Sequence, residues 1–251
     1  MAERGFSQAG FPLVVAHRGA SAEQPENTLA AFERAVVLGA DAVEFDVRMT
    51  ADDAPVVLHD PDVARTTAGT GLVRSMSLAE VLALGVPTLE EVLRQLSGRV
   101  GIDIEIKNIP GEPDFDAERE AVVEATLAAL NATGFTGPVI VSSFNPFSIA
   151  RSRALAPEIP TALLSDVTAE ARAALTFARD HGHRWILPFI GRVEDAGASF
   201  PAEVHDAGLL VGTWITDDPA EAVRLMRSGV DAVATNDPAP ILAARREAWG
   251  G

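Results

Sequence analysis

The stretch Ala42-Val43-Glu44-Phe45-Asp46-Val47-Arg48 alternates apolar and charged residues with a period of two. That period predicts a β-strand with its apolar side chains on one face and both Glu44 and Asp46 on the other. Residues 50–53, which follow it, are too few for a crossover helix. The next apolar run, 55–59, is therefore predicted to fold back on the first strand as a β-hairpin.

Working outward, short β-branched apolar runs alternate with longer Ala-rich stretches of helical period, as in repeated βα units. The predicted strands outside the hairpin are 12–16, 42–48, 101–107, 138–142, 161–164, 184–188, 209–214 and 231–235. Eight strands in 251 residues predict an α/β fold, a TIM (β/α)8 barrel, with a short hairpin after strand 2 and little or no inserted cap domain. Residues 1–251 are expected to form a single barrel domain.

The stretch between the first two strands predicts a helix. Asn27 can cap its start and Gly39 can end it. Leu29, Phe32 and Val36 recur on one face, which is expected to pack against the sheet.

Charge and composition limit the partners. Lys and Arg number 20 against 36 Asp and Glu, a net charge of −16 that repels nucleic acid and opposes stable association with anionic membranes. Cysteine is absent, so no disulfide framework exists. Residues 1–10 lack the basic and apolar regions of a signal peptide, and a cytoplasmic location is expected. The sequence carries no signal for an oligomeric state.

The carboxylates define the predicted site. Glu105 and Lys107 repeat the period-two pattern of Glu44 and Asp46, so these side chains should point into the barrel at its C-terminal mouth. Three converging carboxylates repel one another unless a cation joins them, and oxygen ligands suit Mg²⁺ or Ca²⁺. The same pattern also fits structural ion pairs without a metal. The partners in that second interpretation are Arg18, Arg48 and Lys107.

Two histidines stand at strand ends. His17 ends the first strand and precedes Arg18-Gly19, where Gly permits a tight turn and Arg offers a fork for a phosphate. His59 ends the hairpin. Two imidazoles can act as acid and base on opposite sides of one phosphorus, although either can equally be a polar rim residue. The remaining histidines, expected to be solvated, are His181, His183 and His205.

Over nearly its whole length the chain resembles the glycerophosphodiester phosphodiesterase family of metal-dependent TIM barrels. The strings that carry the resemblance are Ala16-His17-Arg18-Gly19-Ala20, Pro25-Glu26-Asn27-Thr28, Val43-Glu44-Phe45-Asp46-Val47, Val56-Val57-Leu58-His59-Asp60, Arg65-Thr66-Thr67, Pro87-Thr88-Leu89-Glu90-Glu91, Glu105-Ile106-Lys107, Ser142-Ser143-Phe144 and Trp214. The resemblance implies metal-dependent hydrolysis of a small glycerophosphodiester to sn-glycerol 3-phosphate and an alcohol.

The resemblance also implies roles for individual residues. Glu44, Asp46 and Glu105 would bind one divalent cation, Mg²⁺ or Ca²⁺, while His17 and His59 transfer protons. Arg18 and Lys107 would hold the phosphate, and Phe144 and Trp214 would form an apolar wall around the glycerol or alcohol. Ordinary packing at the barrel rim explains these two aromatic residues equally well.

Departures from the family pattern concern substrate fit. Asp217 stands where the family usually has Asn, Asn236 where it usually has Asp, and residues 84–87 belong to a shortened connection. If Asp217 faces the mouth, its charge favours a cationic leaving group such as choline.

Two other functions stay open. A lysophospholipase D acting on single-chain lipids needs an exposed apolar segment, for which 189–200 is the one candidate. A non-catalytic barrel that binds metal or phosphate has no need of two acid–base histidines.

Overall fold

Eight parallel strands close into a barrel, and one further strand extends it as a hairpin. The structure, a computed structural model, describes residues 11–250, so the expectation for residues 1–10 falls outside it. The strands are β1 (Leu13–His17), β2 (Ala42–Met49), β3 (Pro55–Val57), β4 (Gly101–Ile106), β5 (Val139–Ser143), β6 (Thr161–Ser165), β7 (Trp185–Pro188), β8 (Leu210–Thr213) and β9 (Ala232–Thr235).

Helices surround this barrel. They are α1 (Leu29–Leu38), α2 (Leu78–Ala83), α3 (Leu89–Leu96), α4 (Ala121–Thr133), α5 (Pro146–Leu155), α6 (Ala171–His181), α7 (Ile190–Ala196), α8 (Phe200–Asp206), α9 (Pro219–Ser228) and α10 (Pro238–Trp249). Two short 3-10 helices, Val63–Arg65 and Val73–Ser75, precede α2. None of the helices in residues 11–250 is long and apolar enough to cross a membrane.

The pairing of β1 closes the barrel, because this strand lies parallel to both β2 and β9. The remaining barrel strands follow one another in parallel from β4 to β9. Antiparallel β3 pairs with β2, with Val57 opposite Val47. The predicted TIM barrel and its hairpin after the second strand are therefore confirmed, with boundaries shifted by one or two residues.

The period-two pattern separates two apolar regions. The outward side chains of β2 and β4 are buried beneath the helices, where Phe45 lies 5.7 Å from Phe32 of α1. A smaller inner cluster lies inside the barrel and includes Leu13, Leu164 and Trp185. Because the outer face takes the apolar residues of β2 and β4, their charged residues are left to point inward.

The first helix differs from the prediction in two details. Thr28, rather than Asn27, caps α1 by accepting a hydrogen bond from the N–H of Ala31. Leu29 is exposed, so the buried face is narrower than predicted. The end is as predicted: Gly39 adopts a left-handed conformation, with φ 86°.

The connection from β3 to α3 is the longest excursion from the barrel. It contains the two 3-10 helices and α2, and its apolar side chains pack in a cluster of their own. Val63, Val73 and Val81 are fully buried there. This excursion lies immediately after the hairpin and so supports the segment that carries His59.

Candidate active site

The inward carboxylates of β2 and β4 are brought together by strand register. Glu44 pairs with Asp103 and Asp46 with Glu105, so four acidic residues face the barrel interior. Ligand oxygens from Glu44, Asp46 and Glu105 all lie within 4.8 Å of one another. Within residues 11–250, Oε1 of Glu44 is buried without a hydrogen-bond partner, which leaves it free to bind a cation. The donor set therefore fits a hard divalent ion.

The pKa values of these carboxyl groups diverge. Burial, followed by repulsion from Asp46 and Glu105, holds the pKa of Glu44 well above its usual range. Burial also raises the pKa of Glu105 to about 7, although Lys107 opposes the shift. For Asp46 burial acts in the same direction, but the charges of Lys107 and Arg18 outweigh it and keep its pKa low. Without a cation, this cluster therefore holds protons that an ion would displace.

Two cations reach into the carboxylate cluster. Nζ of Lys107 lies 2.6 Å from Glu105 and 3.1 Å from Asp46. Nε of Arg18 lies 3.3 Å from the same Asp46. These ion pairs agree with part of the metal-free interpretation, but among the described contacts neither cationic side chain forms an ion pair with Glu44.

Arg48 is not a partner of this cluster. Its fully buried guanidinium pairs with Asp114 at 2.7 Å and Glu112 at 2.8 Å, and its Nε donates to the carbonyl of His59 at 2.6 Å. The ion-pair interpretation was therefore wrong for Arg48. The period of the strand predicts that Arg48 points inward, but its partners come from a loop after β4.

The turn His17-Arg18-Gly19, which we term the HRG turn, directs both the backbone N–H and the side chain of Arg18 toward the carboxylates. Arg18 has a φ of 56°, and this left-handed backbone lets its N–H donate to Glu44 at 2.9 Å. Gly19 follows with φ 82°, and a Cβ there would lie 2.6 Å from the backbone of Ala31. Glycine is required at this position for both conformation and space.

Both predicted histidines line the same cavity at the barrel mouth. Nδ1 of His17 lies 2.8 Å from Oδ1 of Asn236, and its Nε2 is 4.0 Å from Glu44. Nδ1 of His59 lies 2.6 Å from Oδ1 of Asp60. Burial lowers the pKa of both histidines, with that of His17 reaching about 4 because Arg18 adds to the effect. The hairpin thus brings His59 to the cavity that His17 lines.

A series of ion pairs connects His59 to Arg18. Asp60 binds Arg65 at 2.5 Å, and Arg65 forms a two-pronged pair with Glu26 at 2.7 and 2.8 Å. Glu26 in turn binds Arg18 at 2.9 Å. The strings containing Glu26 and Arg65 contributed to the family resemblance, but sequence reasoning assigned neither residue a role. Their function in the fold is to join the hairpin to the HRG turn.

The opposite side of the mouth is aromatic. Phe144 and Trp214 meet edge to face at 5.5 Å, and Phe189 contacts Trp214 at 5.4 Å. The indole N–H donates to the carbonyl of Leu187 at 3.0 Å, which fixes the ring. The predicted aromatic pair therefore lines the cavity, whose volume is about 210 Å³. The cavity continues past the site toward the base of the barrel, where Trp185 lines it.

Sequence reasoning also missed the place of Asp103 and Asn27 in the site. Asp103 lies two residues before Glu105 on the same strand, so the period-two rule could have found it. Asn27 was interpreted as a helix cap but donates to Asp46 at 2.7 Å. Asp217 does not line the cavity; it binds Asn236, and Asn236 contacts His17.

The expectation of a solvated His183 was wrong. This side chain is buried, and its Nδ1 lies 2.7 Å from the hydroxyl of Thr161. Burial, followed by the charge of Arg153, lowers its pKa to about 4. His181 and His205 are exposed, as predicted.

Known proteins are similar to this chain in both sequence and fold. Residues 17–240 match the sequence model described as the glycerophosphoryl diester phosphodiesterase family. A glycerophosphodiester phosphodiesterase of Caldanaerobacter subterraneus is 31% identical, over 92% of this chain and 96% of the relative. One from Bacillus subtilis is also 31% identical, over 90% and 84%. A solved Oleispira antarctica phosphodiesterase, in complex with the product sn-glycerol-3-phosphate, superposes with a TM-score of 0.82 at 28% identity, over 93% and 96% of the two chains.

Proposed function

The chain belongs to the glycerophosphoryl diester phosphodiesterase family, and we propose that it hydrolyses glycerophosphodiesters to sn-glycerol 3-phosphate and an alcohol by metal-assisted, two-histidine catalysis. The observation that carries this proposal is the clustering of Glu44, Asp46 and Glu105, with candidate ligand oxygens within 4.8 Å of one another, beside a cavity that Glu44, Glu105 and both histidines line. The product bound to the Oleispira relative supports the same substrate class.

In this proposal one Mg²⁺ or Ca²⁺ is held by Glu44, Asp46 and Glu105. When bound, the ion supplies positive charge that polarises the phosphoryl group and stabilises charge developing on its oxygens. Arg18 and Lys107 lie at the same carboxylates and so add positive charge beside the phosphate. These local charges overcome the field of a chain whose net charge is −16.

The two histidines carry the protons. One imidazole accepts the proton of the attacking hydroxyl or water, and the other donates a proton to the departing alkoxide. Each ring is held through Nδ1, His17 by Asn236 and His59 by Asp60, which leaves both Nε2 atoms for the reaction. Phe144 and Trp214 form the apolar wall for the glycerol or alcohol moiety.

The packing of the segment from Phe189 to Phe200 counts against a lysophospholipase D. Phe200 is fully buried, and Phe189 packs against Trp214. An enzyme that lifts single-chain lipids from a membrane needs exposed apolar side chains, which these two do not provide.

The first test is turnover with and without a chelator. We expect glycerophosphocholine to release sn-glycerol 3-phosphate, chelation to stop the release, and added Mg²⁺ or Ca²⁺ to restore it. Undiminished turnover in chelator would remove the ion from the proposal. A protein that binds the ion but turns over no diester would instead be a non-catalytic binder.

The second test removes each imidazole. We predict that His17→Ala and His59→Ala each lower kcat by about 10²–10⁴, because general acid–base catalysis contributes rate enhancements of this size. Metal affinity, measured by calorimetry, should change little. The exposed His205→Ala variant is the matched control. Loss of ion binding in either active-site variant would make that histidine a ligand.

A further inference from the structure

Asp217 and Asn236, in the loops after β8 and β9, form a hydrogen-bonded pair beside His17. Oδ1 of Asp217 accepts from the hydroxyl of Thr235 and the backbone N–H of Asn236, both at 2.7 Å, and from the N–H of Asp237 at 3.3 Å. Its Oδ2 accepts from Nδ2 of Asn236 at 3.0 Å. Each of these four contacts brings a hydrogen-bond donor to the carboxylate.

These donors keep Asp217 ionised. Burial opposes ionisation, but hydrogen bonds from Thr235 and Asn236 outweigh it and lower the pKa of the carboxyl group. An ionised carboxylate can only accept hydrogen bonds. The amide of Asn236 must therefore turn its NH₂ group toward Asp217 and its carbonyl oxygen the other way.

That carbonyl oxygen faces His17. Oδ1 of Asn236 lies 2.8 Å from Nδ1 of His17 and 3.1 Å from the hydroxyl of Ser21. Because an amide oxygen can only accept, Nδ1 of His17 must carry the hydrogen. In a neutral imidazole the lone pair then resides on Nε2, which is the nitrogen on the side of Glu44.

We propose that Asp217 and Asn236 are positioning residues, which act in series to hold the ring of His17 and to keep the lone pair of the neutral imidazole on Nε2. This inference rests on the proposed role of His17 in proton transfer. The two departures from the family pattern thereby become one feature. The carboxylate of Asp217 does not contact the imidazole of His17 directly, because the neutral amide of Asn236 lies between them.

The competing explanation is that Asp217 only fastens two loops together. Both explanations predict some loss of stability when the carboxylate is removed. They differ in the hydrogen on the ring, because a loop fastener has no influence on which nitrogen of His17 is protonated.

The test is a swap of the two side chains. Asp217→Asn removes the constraint on the Asn236 amide, which can then present its NH₂ group to His17 and move the lone pair to Nδ1. We expect kcat to fall about 10- to 100-fold with KM changed less than about threefold, a smaller loss than when a carboxylate in direct contact with a catalytic imidazole is replaced.

Asn236→Asp alone places two carboxylates against each other and should also lower kcat. The double variant Asp217→Asn/Asn236→Asp restores one carboxylate and one amide, with the carboxylate accepting directly from Nδ1. We expect it to recover most of the activity, so that the two substitutions are strongly non-additive. If kcat does not recover in the double variant, the proposal that Asp217 acts on His17 through Asn236 is wrong.

Ring nitrogen shifts from ¹⁵N NMR provide a readout independent of turnover. We expect His17 to carry its hydrogen on Nδ1 in the wild type and in the double variant, and to lose that preference in Asp217→Asn. Asp231→Asn is the control, because Asp231 likewise accepts from a backbone N–H, that of Val211, and lies beside His205.

The outcomes separate the two proposals. If Asp217→Asn lowers the melting temperature as Asp231→Asn does but leaves kcat and the His17 ring unchanged, the positioning role is wrong. If His17→Ala retains full turnover, the proposed catalytic role of His17 fails, while the NMR comparison still decides whether Asp217 controls the ring.

Discussion

The two sides of the barrel interior differ in kind. The ionisable side chains that point inward from the strands lie on β1, β2 and β4; we term His17, Glu44, Asp46, Asp103 and Glu105 the acidic side. On β5 to β9 and the residues that follow them we term the cavity lining the apolar side; besides small residues it comprises Ile140, Phe144, Leu164, Trp185, Leu187, Trp214 and Ile215. None of the described cavity-lining residues on the apolar side is charged. The cavity therefore has one side suited to a metal-bound phosphate and another suited to the hydrocarbon part of a ligand.

This segregation has a physical cause. Buried charges are stable only where partners are within reach, and each partner must itself be placed by the fold. Lys107 and Arg18 reach the acidic side because they follow β4 and β1 directly. In the part of the chain that the structure describes, no Lys or Arg lines the apolar side, so a carboxylate there would be buried without an ion-pair partner. Changes to either side should consequently have different signatures.

The largest expected effect is on the acidic side. We expect weaker Mg²⁺ or Ca²⁺ binding in each of the variants Glu44→Gln, Asp46→Asn and Glu105→Gln. The affinity should fall by about 100-fold or more, because replacing a residue that only hydrogen-bonds to a metal ligand already lowers the affinity by about 10- to 100-fold. Calorimetry of the purified variants measures this directly. Glu203→Gln, a half-exposed carboxylate paired with Arg172 far from the cavity lining, is the control.

Unchanged affinity in all three ligand variants would return the cluster to the ion-pair interpretation. In that case only the contacts of Lys107 and Arg18 would hold the carboxylates together. The acidic side would then contribute to the stability of the fold rather than to metal binding.

The acidic side was the more predictable of the two. The period of a strand determines the direction of each side chain, so Glu44, Asp46 and Glu105 could be placed together from spacing alone. The short link after β2 likewise determined the hairpin and brought His59 to the mouth. The same period points Asp103 inward as well, one layer below Glu105, and that application of the rule was overlooked.

Partners contributed by loops were not predictable. Asn236 contacts His17 across 219 positions of sequence, and Glu26 reaches Arg65 across 39. These contacts exist only after the barrel has closed and brought the strand ends into one ring. Neither residue has a local period or a turn signal that points to its partner.

Asp103 sharpens the comparison because it is a carboxyl group at the border of the two sides. Burial raises its pKa from 3.8 to about 7, and repulsion from Glu105 and Asp46 adds to the shift. Between those values the folded protein binds more protons than the unfolded chain. The contribution of Asp103 to the free energy of unfolding is therefore greatest at low pH, falls as the pH rises between the two pKa values, and is fully lost above the folded pKa.

Asp103→Asn removes this cost. In chelator-treated protein, we expect the free energy of unfolding to rise more at about pH 8 than at about pH 5.5, by about 2 kcal/mol. Urea titrations at both pH values measure the difference, with the surface change Asp180→Asn as control. An equal rise in the free energy of unfolding at both pH values would show that ionisation of Asp103 does not destabilise the folded protein.

The smallest effect is expected on the apolar side, at Trp214. An apolar wall contacts the substrate and the transition state alike, so its loss weakens binding more than it slows chemistry. Trp214→Ala should raise KM about tenfold, which corresponds to about 1.4 kcal/mol, and lower kcat less than about threefold. The exposed Trp249→Ala variant should leave both constants unchanged. Equal losses in kcat and kcat/KM would instead mean that the indole acts in the transition state, and the division of labour between the two sides would not hold.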